Sequence, residues 1–229
     1  MTNPGADETM LIIIDMWNKH WALNGAEAAK EMMPRFNEVV KHARSLGVQI
    51  VHSPTEPAMG PNYSHPAHKH LSTFPHVPLP PALPHEDYPM PLNVDDMGAN
   101  GPVLDVGTAA NGYAQIEGLE IVFEPDGPQD GIGEPLQPVW NLMQARGIRH
   151  VIVTGCAANM CVMSKPLGIR NLVRHGLDVV LARDMTRPMY NPASPPYVNT
   201  PEATKMMTDY YEKFWCPTIT GEAILGSAR

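Results

Sequence analysis

The run Met10-Leu-Ile-Ile-Ile14 contains no polar side chain, and it constrains the fold more than any other stretch of this sequence. Side chains alternate across a strand, so a run that is apolar at every position must be buried on both faces. That is the signature of a strand in a parallel sheet covered by helices on both sides. Further short apolar runs follow at residues 48–51, 120–123, 151–153, 177–182 and 218–219. Between them the period changes to that of a helix. Residues 26–46 place Met32, Met33, Phe36, Val39, Val40 and Ala43 on one side, and Gly47 then ends the helix. Residues 136–145, 161–175 (apart from Pro166 and Gly168 near its start) and 201–214 also read as helices, the last with Pro201 in its first turn. Alternating strands and helices imply an α/β fold. The expectation is a doubly wound, Rossmann-like, mostly parallel six-stranded sheet with helices on both faces, forming a single domain over 1–229.

Bulk properties narrow the function classes. At 229 residues the chain is long enough for a sizeable core. No apolar run approaches the roughly 20 residues that span a bilayer. A formal charge of −8 offers no basic stripe to neutralise phosphates, which argues against nucleic acid as a partner. Three cysteines, an odd number, disfavour a disulfide framework and suit a reducing compartment. The first eight residues lack the basic and apolar regions of a signal peptide. A cytoplasmic protein acting on a small molecule is expected, with no nucleic acid, membrane or cofactor.

Residues 54–102 break the rhythm. They hold 12 of the 25 prolines and five of the ten histidines, with little periodicity. Loops of this length in compact domains are functional or disordered. The expectation is an irregular insertion over 54–118 that covers the ligand edge of the sheet or contacts another subunit. A second proline-rich piece, 187–197, is expected to line the site, with Tyr190 as a candidate substrate contact.

In an open parallel sheet, ligands bind beyond the carboxyl ends of the strands, near the switch in strand order. Asp15 closes the first run. Cys161 follows the fourth, after the small-residue turn Thr154-Gly-Cys-Ala-Ala-Asn-Met160, at the start of an expected helix. The positive end of a helix favours a thiolate, and its unpaired N–H groups can hold an oxyanion. A carboxylate beside a thiol is a base–nucleophile pair. Asn159 is placed to hydrogen-bond the turn around the nucleophile or to contact substrate. Cys156 and Cys216 read as small buried residues, and Arg183-Asp184 as an internal pair or loop anchor.

The segment Leu11-Ile-Ile-Ile-Asp15-Met-Trp-Asn-Lys-His20 and the segment Thr154-Gly-Cys-Ala-Ala-Asn-Met-Cys161-Val resemble the opening and the nucleophile motif of the isochorismatase-like (cysteine hydrolase) superfamily, which includes nicotinamidases. The resemblance implies Cys161 as nucleophile, Asp15 as its general base, a cis Cys156–Ala157 peptide, and an oxyanion hole made by the N–H groups of Ala157 and Cys161. It also implies hydrolysis of a small amide through a thioester, in a homodimer or homotetramer. Three departures stand out. The family's lysine follows the third strand, but residues 121–130 here contain none and are acidic. Lys19, His20 or Lys165 is then the replacement cation, or Glu124 or Asp126 does different work there, such as binding an amine or positioning water. The aspartate and histidines that hold a metal in nicotinamidases are not matched by Val51-His-Ser-Pro-Thr-Glu56, so no metal is expected; His65, His68 and His70 have zinc-like spacing, but loop histidines are more often solvated or packed. Trp17, His20 and Trp21 stand where the family more often has glutamine and phenylalanine, either packing under a helix or walling a pocket. Without the lysine, the alternatives are a ligand-binding or assembly protein on the same scaffold, or non-covalent hydrolysis of the isochorismatase type.

Overall fold

The computed structural model describes residues 5–16, 18, 23–55, 64–92, 118–190, 192–193 and 195–226. The expected strands β1 (Thr9–Ile14) and β2 (Gln49–Ser53) flank the long helix α1 (Leu23–Ser45). Then come α2 (Pro66–Leu71), β3 (Gly131–Ile132), α3 (Leu136–Arg146) and β4 (His150–Cys156). Two short helices, α4 (Cys161–Ser164) and α5 (Ile169–Arg174), lead into β5 (Asp178–Arg187). The described chain closes with α6 (Thr200–Phe214), β6 (Thr218–Ile219) and α7 (Gly221–Ile224).

All strand pairs are parallel and the order is β3-β2-β1-β4-β5-β6. The chain therefore reverses direction of travel between β1 and β4, the expected place for a ligand. Every residue of β1 is buried, as its sequence requires. One face of β1 (Met10, Ile12, Ile14) packs with Val139, Leu142, Leu172, Met207 and Tyr211, from α3, α5 and α6. The other face (Leu11, Ile13) packs with Met32, Met33, Phe36, Val39 and Val40 of α1. The two layers are the core.

Two expectations need correction. The third strand is not 120–123 but Gly131–Ile132, and Phe123 makes only an isolated antiparallel bridge to Gln129. The cause is Asp130. Its carboxylate receives Arg44 Nε and Nη2 (3.0 and 2.8 Å), His52 Nε2 (3.2 Å) and the Val122 N–H (2.9 Å). These bonds tie the start of β3 to α1 and β2, and fold 122–130 into a turn outside the sheet. The described part of the proline-rich insertion also differs. Residues 75–92 run over the outer surface of α3, α5 and α6. Val77 N–H donates to Asn141 Oδ1, Leu83 N–H to the Arg174 carbonyl, and Tyr210 hydroxyl to the Tyr88 carbonyl. His85 stacks on Trp215 and Tyr88 on Phe214.

Candidate active site

Asp15 leaves β1 with φ +46, a left-handed conformation that aspartate tolerates better than most residues. Its N–H donates to the Ser53 carbonyl. The side chain is buried and its two oxygens differ sharply. Oδ1 accepts from the Thr55 N–H (2.6 Å), the Thr55 hydroxyl (2.8 Å) and Lys165 Nζ (3.1 Å). Oδ2 is buried and accepts no hydrogen bond among the described residues. One oxygen is held and the other left open to take a proton.

β4 enters from the neighbouring strand. Gly155 lies opposite Ile14 with φ +115, and a Cβ there would stand 2.0 Å from the Ile14 carbonyl oxygen. Only glycine permits β4 to pass β1 so closely at the point where both strands end. The Cys156–Ala157 peptide is cis, as the resemblance implies. The following turn is pinned at three points. Ala158 N–H donates to the Arg187 carbonyl. The buried Tyr211 hydroxyl donates to the Ala158 carbonyl. The Asn159 amide is bonded both ways to Met189, donating to its carbonyl (2.8 Å) and accepting from its N–H (2.9 Å). Asn159 is fully buried, and these bonds brace the turn.

Cys161 is half-buried at the start of α4. No backbone carbonyl among the described residues accepts from the N–H of Ala157 or of Cys161. Burial raises the Cys161 pKa first, and the neighbouring Asp15 carboxylate raises it further. Lys165 and the Ala157 N–H, directed at the sulfur, oppose this in part. The resting group is a neutral thiol beside a carboxylate.

The cation is Lys165. The helix expected over 161–175 stops after one turn, because Pro166 forces the residue before it out of the α region. Lys165 is accordingly extended, with φ −64 and ψ 164. Gly168 lets the chain fold back closely, its N–H donating to the Lys165 carbonyl; a Cβ there would lie 2.8 Å from the Lys165 nitrogen. Lys165 is 7% exposed, and besides Asp15 its ammonium donates to the Ser53 carbonyl (2.9 Å). It also stands 3.3 Å from Glu134 Oε1. Glu134 lies just beyond β3, with Gly133 between them. The helix-end contribution foreseen for Cys161 shrinks correspondingly, since α4 has only four residues.

Other expectations fall elsewhere. Glu124 is exposed on the turn outside the sheet, its N–H donating to the Pro128 carbonyl, so the acidic residue at the site is Glu134 instead. Tyr190 is buried in the core and its hydroxyl accepts from the Val198 N–H (3.1 Å), which anchors the second proline-rich segment. Trp17, His20, Trp21 and Lys19 lie outside the described residues. Arg183 and Asp184 are loop anchors, holding the Thr218 hydroxyl and the Gly221 N–H.

Among the described residues the donor set for a resident divalent metal does not fit. His52 is buried with Nε2 on Asp130. His65 Nδ1 caps α2, His68 Nδ1 meets the Ile132 carbonyl, and His70 packs edge-on against Phe74 and Phe123. Among the described residues no three histidine, cysteine or acidic side chains converge.

No protein-family model and no curated protein matches this chain. Solved structures share its fold. A cysteine hydrolase from Pseudomonas syringae pv. phaseolicola aligns over 100% of both chains at 14% identity, with a TM-score of 0.58. An isochorismatase family protein from Desulfovibrio vulgaris aligns over 97% of this chain and 99% of its own, at 18% identity and a TM-score of 0.54. The pyrazinamidase of Pyrococcus horikoshii in complex with zinc aligns over 93% and 99%, at 15% identity and a TM-score of 0.50. The six-stranded parallel architecture is that of the isochorismatase-like structures.

Proposed function

We propose that this protein is an isochorismatase-like cysteine hydrolase that cleaves a C–N bond of a small amide through a thioester on Cys161. The observation that carries the reading is the buried Asp15–Lys165 pair beside the thiol, with Oδ2 of Asp15 left without a hydrogen bond. In this reading Oδ2 takes the Cys161 proton as sulfur attacks the amide carbonyl. The resulting oxyanion is received by the N–H groups of Ala157 and Cys161, neither of which donates to a backbone carbonyl among the described residues, each such donor being typically worth about 3 kcal/mol. Collapse of the tetrahedral centre expels the amine, which leaves with the proton held on Asp15. Asp15 then deprotonates water, which attacks the thioester, releases the acid and returns a proton to sulfur. Lys165 holds Oδ1 of Asp15 in place throughout.

The test is a panel of small primary amides, ureides and carbamoyl compounds, followed by intact-mass measurement of enzyme quenched during turnover. An acyl adduct on Cys161, absent in Cys161→Ser, supports the reading. Turnover without any adduct, retained in Cys161→Ala, sinks the covalent step. That outcome would favour the second reading, non-covalent hydrolysis at the same pocket, to which the neutral, high-pKa thiol lends support.

A further inference from the structure

We infer that Glu134 sets the charge selectivity of this site, admitting neutral or cationic amides and turning away substrates with a carboxylate near the reacting bond. The inference rests on the reading above only in taking Cys161 as the atom a substrate must reach.

Three charged side chains meet here: Asp15, Lys165 and Glu134. One ammonium therefore serves two carboxylates, and the cluster carries a net negative charge while the thiol is neutral. The two carboxylates are not equivalent. Asp15 is fully buried, and its Oδ1 is saturated by three donors. Glu134 is 27% exposed, and only Oε1 is engaged, at 3.3 Å from Lys165. Glu134 is thus the more exposed of the two carboxylates. A lysine at this corner would draw anions in. Here the ammonium comes from residue 165, is 7% exposed and is shared between the two carboxylates. An anion entering would face the outer carboxylate first, while an ammonium, guanidinium or ureido N–H would find an acceptor.

Glu134 does this by its position in the fold. It follows β3 by one residue, and β3 is held by the Arg44–Asp130–His52 cluster. The side chain thus projects from a fixed edge, with Pro135 closing the turn into α3.

The experiment uses three methanethiosulfonates that differ in charge: trimethylammonium-ethyl, ethyl and sulfonatoethyl. In each case the Cys161 sulfur forms a disulfide with the reagent's thioalkyl group and methanesulfinate leaves. Rates on Cys161 in the native full-length protein are read by intact mass and peptide mapping, with Cys161→Ser as the blank. Each is divided by the rate on free 2-mercaptoethanol. The expected wild-type cation-to-anion ratio exceeds one, shrinks in high salt, and falls about tenfold in Glu134→Gln. Glu134→Asp retains most of it, and Glu134→Lys inverts it. The ratio cancels any change in thiolate fraction, which a merely structural effect on Lys165 would produce. A wild-type ratio at or below one overturns the inference without any variant, as does a ratio unmoved by Glu134→Gln. A thiol closed to all three reagents overturns it too, because a site shut to molecules this small presents Glu134 to no ligand. A protein that hydrolyses no amide yet keeps the cation preference sinks the hydrolase reading alone.

Discussion

Lys165 Nζ lies 3.1 Å from Asp15 Oδ1, although one residue follows Cys161 by four positions and the other lies just beyond a different strand. The thiol and the ammonium therefore share one short segment, and the carboxylate stands alone on its neighbour. The pair is almost fully out of water, with Lys165 7% exposed and the Asp15 side chain 0%. Its strength comes from geometry as much as charge, since Thr55 adds two hydrogen bonds to Asp15 Oδ1 and the Ser53 carbonyl accepts one from Lys165.

Removing one partner leaves the other buried and uncompensated. Lys165→Met is expected to cost about 3–5 kcal/mol, read as a lowered urea midpoint with an unchanged slope. The double variant Asp15→Asn/Lys165→Met should recover much of that loss while remaining inactive. A Lys165→Met protein as stable as wild type would mean the pair is open to solvent.

Thiol reactivity and hydrolysis should respond oppositely to Asp15→Asn. The carboxylate raises the Cys161 pKa, so its removal frees more thiolate, the species that alkylating agents trap. The midpoint of the iodoacetamide pH–rate profile is expected to move down. Amide hydrolysis should fall to background, because the proton has no acceptor. Lys165→Met shifts the same midpoint upward. A fall in both activities on Asp15→Asn would show that the carboxylate does not face the thiol.

Much of this was legible in the residues themselves. The unbroken apolar run at 10–14 requires a strand buried on both faces, and β1 is that strand at the centre of the sheet. Gly155 and the small residues after it mark a close crossing that no larger side chain could make. The third strand was misplaced because residues 120–123 are apolar enough to pass for one. What decides otherwise is the set of donors gathered on Asp130 from Arg44, His52 and Val122, and two of those partners are far away in sequence. The cation was in view but unresolved among Lys19, His20 and Lys165. Its signal was Pro166, which ends the helix and lets Lys165 turn back. Glu134 carried no local signal, since its role depends on where β3 ends.

Gly155→Ala is expected to be severely destabilising. The φ of +115 is itself strained for any residue with a Cβ, costing about 1–3 kcal/mol, and the added carbon would meet backbone that cannot rotate away. Soluble expression and the thermal midpoint check this, and a stable Gly155→Ala would require β1 and β4 to part at their carboxyl ends.

The pH limits of stability follow from buried groups at both ends of the range. Burial pushes the Cys156 and Cys216 thiols up to about 12, from an ordinary value near 9. Their contribution is fully present below pH 9 and is lost as pH rises from 9 toward 12. Asp130 moves the other way: burial opposes its ionisation, but hydrogen bonds from His52 and Arg44 prevail and hold its pKa below the ordinary 3.8. Its contribution is present above that value and is lost as pH falls through the depressed one. Denaturant midpoints measured across pH should therefore sag at both extremes, with Cys216→Ala flattening the alkaline limb and Arg44→Ala the acid one.

Asn159→Leu keeps the volume but abandons the Met189 N–H and carbonyl inside the protein. Each orphaned group is expected to cost about 1–3 kcal/mol. Because the same bonds brace the turn that carries Ala157 and Cys161, any turnover should fall along with stability. Asn159→Leu with full activity would show that the turn holds its shape without this brace.

A β3 of only two residues at the rim of the sheet, carrying no lysine of its own, separates two tasks that a single position would otherwise join. In the proposed reading the capacity to react is lodged in the centre, on Asp15 and the stretch from Cys161 to Lys165, and the rim decides only which molecules are welcome. Exchanging the residue at 134 should therefore retune preference without dismantling the engine beneath it, making this corner the natural place to redesign the protein for a new substrate.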